Sequence, residues 1–223
     1  MTISRRNLLR SGLGLGSLLL VNCGTRASRR DAGATTLVPT KHIDDDDGPP
    51  PMPARGPGSA TEPASCSDVT AANIEGPFYK AGAPHRAVLV DDRDPGERLV
   101  IAGTVLSTDC TPLAGAELDI WHADARGGYD LDGYHFRGAL VTDEHGRYEL
   151  RTIVPGRYLN GDRYRPAHVH VKLRAKSHRT LTTQLYFAGD PYNDGDPFIV
   201  ESLILQTKRL GDTRRAAFDF VIA

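Results

Sequence analysis

The sequence has almost no excess of charge of either sign. It contains 27 Lys and Arg residues against 28 Asp and Glu residues, a formal net charge of −1 at pH 7. A protein that neutralises nucleic-acid phosphates needs a basic excess, so the charge balance argues against nucleic acid as the main partner. No long segment has the periodicity of a helix. The 23 Gly and 15 Pro residues instead favour an all-β fold with many turns.

Several common catalytic and binding motifs are also missing from the sequence. Its three cysteines do not form a thiolate cluster, and there is no group of carboxylates spaced for a metal. It has neither a Gly-rich nucleotide loop nor Ser, His and Asp residues at a spacing typical of a nucleophilic triad. Chemistry in this chain is therefore expected from other residue types.

The first 23 residues have the layout of an export signal. Arg5, Arg6 and Arg10 form a basic region, and the apolar run 13–21 that follows is too short to be a comfortable membrane span. The order of residues 4–9, SRRNLL, resembles a twin-arginine signal, with an ordinary basic region as the alternative. We therefore expect a periplasmic or extracellular protein.

A second expectation is a lipid anchor at Cys23, because the preceding residues resemble a lipoprotein cleavage box. Asn22 departs from that pattern, so a plain signal peptide is the alternative. Residues 24–65 contain an acidic run, 44–47, and a proline run, 49–51. Such a segment buries too little apolar area to offset its ordering entropy, so it is predicted to be a disordered linker.

Residues 66–223 are predicted to form one domain. If Cys23 is removed or lipidated, Cys66 and Cys110 remain as one pair in an exported domain. A disulfide between them is the expectation, and two free thiols are the alternative.

Short apolar runs broken by turn residues predict a β-sandwich or barrel. A short helix is also expected near residues 68–74. The predicted strands are LVIAGTVLS (99–107), ELDIWHADA (117–125), ALVTD (139–143), HGRYELRTI (145–153), AHVHVKLRA (167–175), LTTQLYF (181–187), ESLILQT (201–207) and FDFVIA (218–223).

The segment YRPAHVHV (164–171) contains the first candidate metal ligands. Alternate side chains of a strand share a face, so His168 and His170 point one way and the intervening valines the other. Two imidazoles on one face form half of a metal site, although two surface histidines, or a zinc or copper site, would give the same string. Arg165 beside them is either a surface residue or a fixed cation that stabilises negative charge on a substrate.

Two tyrosines follow turn residues and are the second pair of candidates. Tyr129 follows Arg-Gly-Gly, and Tyr158 follows Pro-Gly-Arg, so both rings are expected to leave the core and enter a cleft. A phenolate oxygen is a hard, anionic ligand that suits Fe(III). Aromatic residues at strand ends are the alternative, and Tyr134 is a rival for the role of Tyr129.

The chain resembles the intradiol ring-cleavage dioxygenases, the family of catechol 1,2-dioxygenase and protocatechuate 3,4-dioxygenase. The resemblance rests on five blocks in the family's order: NIEGPFY (73–79), LDIWHADARGGY (118–129), TDEHGRYELRTIVPGRY (142–158), YRPAHVHV (164–171) and LTTQLYFAGDPY (181–192).

The resemblance implies an antiparallel β-sandwich core with long active-site loops and one Fe(III) per chain. Tyr129, Tyr158, His168 and His170 match the family's metal ligands, and Tyr158 matches the tyrosine that leaves the iron when substrate binds. Arg165 and Gln184 match catalytic residues near the reacting diol. Ile74 and Pro77 match positions that line the substrate pocket, where Arg165 also contributes and Tyr79 lies nearby.

The implied activity is aromatic catabolism: intradiol cleavage of a catechol by O₂ to a cis,cis-muconate-type dicarboxylic acid. The alternative is an exported binding module for carbohydrate or protein with a vestigial metal site. The family's helical dimerisation segment has no counterpart here, so a monomer or a homodimer is expected. The loop between Tyr158 and Arg165 is short for catechol 1,2-dioxygenases, which favours a more open cleft and a broader or larger range of substrates.

Overall fold

The computed structural model describes Cys66 and residues 68–223. The predicted export signal, residues 1–23 with Cys23, and the predicted linker, residues 24–65, lie outside the described residues. Nothing in the described part tests them.

The described residues form twelve β-strands and two single-turn 3₁₀ helices, Asn193–Gly195 and Glu201–Leu203. The strands are β1 (Arg98–Ser107), β2 (Glu117–His122), β3 (Arg137–Val141), β4 (Arg147–Ile153), β5 (Tyr158–Asn160), β6 (Arg163–Arg165), β7 (His168–Arg174), β8 (Leu181–Phe187), β9 (Ile204–Leu205), β10 (Thr207–Leu210), β11 (Thr213–Ala217) and β12 (Phe220–Ile222).

Two five-stranded sheets pack face to face, which confirms the predicted all-β sandwich. In one sheet the order is β10-β11-β1-β12, and β4 also pairs with β1. In the other sheet the order is β3-β2-β7-β8-β9, and β5 and β6 form a separate hairpin. The core lies between the sheets, with Ile101 and Leu150 from one sheet and Leu118 and Val171 from the other.

Strand β7 shows why the sequence folds this way. Val169, Val171 and Leu173 are fully buried in the core between the sheets. Each such side chain stabilises the fold by roughly 1.5–3 kcal/mol relative to its exposed state. Because side chains alternate along a strand, His168 and His170 occupy the opposite face of the same sheet. The sandwich therefore presents the two histidines together on the face that points away from the core.

The predicted helix near residues 68–74 is wrong, because this segment is extended. The Thr70 N–H donates to Val221 O at 2.9 Å, and the Asn73 N–H donates to Thr182 O at 2.8 Å. Backbone groups that bond to β12 and β8 are not available for the local bonds of a helix. Within the described residues, no helix is long and apolar enough to cross a membrane.

Two hairpins were not predicted from the sequence. Strands β5 and β6 have three residues each, and β10 and β11 are rich in Arg, Lys and Thr. Neither hairpin has the apolar alternation by which strands are recognised. Strand β11 is defined mainly by its parallel pairing with β1, from Arg98 opposite Thr213 to Ala102 opposite Ala217.

Cys66 and Cys110 form a disulfide with their Cα atoms 5.3 Å apart, which confirms the predicted pairing. The bond links the start of the described region to the turn between β1 and β2. It closes a loop with a sequence separation of 44. Closing a loop of this kind stabilises a fold mainly by restricting the unfolded chain.

His122, at the end of β2, joins the two sheets. Its Nδ1–H donates to Ala123 O at 2.8 Å, which leaves Nε2 to accept from the Thr152 hydroxyl of β4 at 2.6 Å. Burial, helped by the nearby His135 and Arg137 and opposed by the bond to Ala123 O, lowers the pKa of His122 to about 4.

We expect His122 to make the fold acid-sensitive. A histidine in an unfolded chain has a pKa near 6.5. Between pH 6.5 and 4, His122 is therefore protonated in the unfolded chain but stays neutral in the folded protein. The associated stability is complete above pH 6.5 and is lost as the pH falls to 4, on the order of 3 kcal/mol. Urea unfolding measures the free energy of unfolding from pH 7 to 4.5, and this free energy should fall less in His122→Asn than in the wild type. The His145 ring is largely exposed, so the free energy of unfolding of His145→Asn should fall as much as that of the wild type. An unchanged pH slope in His122→Asn would contradict this assignment.

Candidate metal centre

The predicted histidines lie in a row of aromatic and polar side chains on the outer face of the second sheet. In the strand register, Trp121 of β2 is opposite His170, and Gln184 of β8 is opposite His170 on the other side. Tyr186 is opposite His168. Loops cover this row, so both histidines are at most 2% exposed although they lie outside the core.

Three potential ligand atoms converge at one point. Tyr129 Oη lies 3.3 Å from His168 Nε2 and 3.2 Å from His170 Nε2. The two Nε2 atoms are 3.1 Å apart. Nitrogen and oxygen ligands held at about 2.0–2.2 Å from one ion lie roughly 3–3.5 Å from each other, so this triangle has the dimensions of a metal site.

The hydrogen bond of His168 determines its tautomer. Nδ1 lies 2.7 Å from Pro166 O, and because a carbonyl only accepts, Nδ1 carries the proton and Nε2 presents a lone pair to the triangle. Burial and the neighbouring Arg165 lower the pKa of His168 to about 3. Burial, with His168 and Arg165 close by, also lowers the pKa of His170. Both imidazoles are therefore neutral, as metal ligands must be.

His170 is oriented by stacking instead of by a hydrogen bond. Its ring lies 4.7 Å from that of Trp121 with an angle of 7° between the planes, and Gly76 packs against its edge. In the described structure its buried Nδ1 has no hydrogen-bond partner. The phenol hydrogen and the neutral imidazoles supply too few hydrogens to turn all three contacts of the triangle into hydrogen bonds. A cation at the centre of the triangle would interact favourably with all three atoms, so the residues present fit a metal ion.

Tyr129 is a ligand candidate that needs a cation to ionise. Burial, reinforced by Tyr158, raises the pKa of the Tyr129 phenol above its ordinary value of 10. The ring of Phe78 stacks on it at 4.4 Å and excludes water from one face. Arg137 holds this arrangement, because its guanidinium donates to Phe78 O at 2.7 Å and to Asp130 O at 3.0 Å.

Tyr158 lies beside the triangle and is held more loosely. Its ring is 5.6 Å from the rings of both Tyr129 and His168. Its hydroxyl accepts a long hydrogen bond, 3.5 Å, from Arg165 Nη1. The structure thus brings both predicted tyrosines to the histidines, with Tyr129 in contact with them and Tyr158 at the edge.

The loops that carry the two tyrosines interlock through glycines. Gly127 has φ +90°, and a Cβ there would overlap the carbonyl of Arg157. A Cβ on Gly156 would overlap the backbone nitrogen of Gly127. Only glycine permits this approach, so the two turns fix the relative positions of Tyr129 and Tyr158.

Arg165 is buried and points into the site, so it is not a surface arginine. Its Nε donates to Asp196 Oδ2 at 2.7 Å, and its Nη2 donates to Gln184 Oε1 at 3.1 Å and to Tyr186 Oη at 3.2 Å. Burial opposes the charge, but the hydrogen bonds to Asp196 and Tyr158 raise the pKa of Arg165. A fixed cation therefore lies next to the neutral histidines.

The remaining predicted residues are placed less centrally. Ile74 O accepts from Gln184 Nε2 at 2.8 Å, but its side chain is partly exposed and lines a groove with Phe198. Pro77 is exposed in the turn before Phe78. Tyr79 donates to Asp119 at 2.8 Å instead of entering the site. Their predicted contacts with substrate stay predictions.

The rival ligand Tyr134 points elsewhere. Its hydroxyl donates to Ala81 O at 2.9 Å, and Lys80 lies over its ring at 4.6 Å. The structure therefore favours Tyr129 as the first tyrosine of the site.

Four residues of the site were missed by the sequence prediction. Tyr186 shares a strand face with Gln184 of β8, so the period-2 alternation could have found it. Trp121 faces His170 only through the pairing of β2 with β7, which no local pattern shows. Phe78 lies within a block that carried the family resemblance. Asp196 had no local signal, because it reaches Arg165 from 31 residues away.

A cavity of about 520 Å³ opens beside the triangle, lined by Phe78, Tyr129, Tyr158, Leu159 and Tyr164 among others. A neighbouring cavity of about 680 Å³ lies along the Pro155–Gly156–Arg157 turn and ends at Asp190 and Tyr192. Both are lined by Arg126, Arg157 and Tyr164, so the two cavities adjoin.

Comparison with known proteins adds an independent finding. A family model described as "Dioxygenase" matches residues 74–223. The catechol 1,2-dioxygenase of Acinetobacter baylyi is 38% identical over 154 residues, which cover 58% of this chain but only 50% of that enzyme. The chlorocatechol 1,2-dioxygenase of Rhodococcus opacus is 35% identical over 185 residues, 69% of this chain and 72% of the enzyme.

A solved structure shows the same fold. It is the dioxygenase domain of a dioxygenase–carbohydrate-binding protein fusion from the cellulolytic bacterium Streptomyces sp. SirexAA-E. The two structures superpose with a TM-score of 0.66 at 42% identity, over 69% of this chain and 97% of that domain.

The interlocked turns predict a large effect of one methyl group. We expect Gly127→Ala to lose at least about 2–3 kcal/mol of stability and most of any metal binding at the triangle, because both positive φ and overlap with Arg157 O oppose the new Cβ. Gly211→Ala is the matched control, since Gly211 has φ +59° and a Cβ there would meet no atom within 4 Å. Its cost should be about 1–2 kcal/mol with metal binding retained. Urea unfolding and metal content per chain measure both effects, and equal losses in the two variants would refute the interlock.

Proposed function

This chain belongs to the intradiol ring-cleavage dioxygenase family, and on that premise we propose that it cleaves a catechol-type diol at a single non-haem Fe(III). The ligands would be Tyr129, Tyr158, His168 and His170. O₂ is the second substrate, and the product is a cis,cis-muconate-type dicarboxylic acid. The observation that carries the proposal is the convergence of Tyr129 Oη and two histidine Nε2 atoms beside a cavity.

The donor set favours iron over the zinc or copper alternatives. Two phenol oxygens and two neutral imidazoles offer hard, anionic oxygen together with nitrogen, which suits a trivalent ion. Bound Fe(III) would act as Lewis acid and template for the two diol oxygens. The set is intact, and this favours an enzyme over a binding module with a vestigial site.

Arg165 and its partners would orient and stabilise the diol. The guanidinium is held on one side by the Asp196 carboxylate and on the other by Gln184 Oε1. Such a preorganised cation needs no rearrangement when negative charge develops on a substrate oxygen. Gln184 also fixes the Asn73–Tyr79 segment by donating to Ile74 O, so it would couple Arg165 to the wall of the site.

Tyr158 is suited to accept a proton. Its hydroxyl is held only by the long bond to Arg165, and its ring lies at the border of the cavity. Held as a phenolate in the metal-loaded protein, Tyr158 Oη would take up one of the diol protons when a diol enters, and Tyr158 would move away as a neutral phenol. Tyr129, packed under Phe78 and fixed by the glycine interlock, would remain in place.

We also propose that the protein acts outside the cytoplasm, after export by a twin-arginine signal and with a lipid anchor at Cys23. The Cys66–Cys110 disulfide supports export, because such bonds persist in oxidising compartments. Cell fractionation with detection of a lipidated Cys23 tests both parts. A purely cytoplasmic, unprocessed chain would contradict them.

The proposal as a whole is tested by the visible spectrum and oxygen uptake of the purified iron-loaded protein. We expect a broad visible band that shifts when catechol is added without oxygen, and oxygen consumption when oxygen is admitted. A protein that stays colourless after iron is supplied, or that consumes no oxygen with any catechol, would contradict the proposal.

Tyr158→Phe separates the roles of the two tyrosines. We expect it to keep iron, to shift the visible band because one phenolate is lost, and to turn over about a hundredfold more slowly because a proton acceptor is missing. Tyr134→Phe removes only the bond to Ala81 O and should match the wild type. A Tyr158→Phe spectrum and rate equal to those of the wild type would show that Tyr158 is not a ligand.

A further inference from the structure

The cleft beside the metal centre is much larger than a single catechol ring requires. Cavities of about 300–1,000 Å³ hold drug-sized ligands. The cavity that contains Tyr129 and Tyr158 measures about 520 Å³, and the adjoining one adds about 680 Å³. A substrate whose diol lies at the centre therefore has room for a long substituent.

The surface near the diol end of this cleft is apolar. Leu131, Leu159 and Tyr164 line the cavity, and each exposes at least half of its surface to solvent. Exposed large apolar side chains that cluster around a cavity mark a binding surface more often than isolated ones do. They would cover the flat, apolar body of a substituent.

The two adjoining cavities together carry one uncompensated positive charge. Their charged lining residues are Arg126, Arg157, Arg214, Glu97 and Asp190. Arg157 pairs with Asp190 at 2.9 Å, and Arg214 pairs with Glu97 at 2.8 Å. Among the described residues, Arg126 makes no ion pair. Arg126 lines both cavities, so the uncompensated positive charge lies where the two cavities meet.

We propose that the substrate is a catechol with an extended side chain that is apolar next to the ring and ends in an anion, most simply a carboxylate. The ring lies beside Phe78 in the cavity, the side chain passes Leu159 and Tyr164, and the anion binds Arg126. The inference rests on the proposed function and names its substrate class. Arg126 is a specificity residue and not a member of the catalytic machinery.

The test compares two probes that differ only in charge. These are 3,4-dihydroxycinnamate and its methyl ester, with catechol as the reference substrate, and kcat/KM is measured by oxygen uptake of the iron-loaded protein. For the wild type we expect a higher kcat/KM with the acid than with the ester. The acid-to-ester ratio should fall about fivefold in Arg126→Gln, as expected for a solvent-accessible charge pair. Arg147→Gln removes the same charge from an exposed position on β4 and should leave the ratio unchanged.

A second measurement does not depend on any variant. Added salt should raise KM for the acid and not for the ester, because ions screen an exposed charge pair. A Leu159→Ser variant should lower kcat/KM for both extended probes relative to catechol.

The outcomes separate this inference from the proposed function. Cleavage of catechol with equal use of acid and ester, or with a ratio that Arg126→Gln does not change, overturns the inference and leaves the function standing. Failure to cleave catechol and both probes overturns the function, and the inference with it.

Discussion

Strand β7 lies between β2 and β8, and its strict alternation of side chains connects the stability of the fold with the chemistry of the site. Its apolar face, with Val169 and Val171, is part of the core that holds the sheets together. Its other face presents His168 and His170. A shift of one residue in register would place imidazoles in the core and valines in the site. The histidine pair is therefore positioned by the same packing that stabilises the sandwich.

The charges around this strand are arranged to keep the histidines neutral. Arg165 is buried, and a buried cation is tolerated only when it is paired and hydrogen-bonded. Asp196 supplies the pair, and Gln184 and Tyr186 accept further bonds. Burial, and after it this fixed positive charge, lowers the pKa of both neighbouring imidazoles. Arg126 at the cleft is the opposite case, because its charge is exposed and available to a ligand.

The sequence was most informative about features that depend on the residues of a single strand or a single turn. Alternation in residues 168–171 predicted that the two histidines share a face, and turn residues before Tyr129 and Tyr158 predicted that both rings leave the core. Both predictions were confirmed, as were the all-β sandwich and the Cys66–Cys110 pairing. The family resemblance supplied the roles of these residues, which local pattern alone left open.

The sequence by itself determined the strands with apolar alternation, the glycines at the tight turns and the identities of the candidate ligands. Tertiary structure decided everything that depends on distant partners. Residues 68–74 are extended because their backbone bonds to β8 and β12, not because of local propensity. Asp196 reaches Arg165 across 31 residues, and Gly127 meets Arg157 only when two loops cross. Such contacts follow from the packing of the sheets and loops, which no local window of sequence contains.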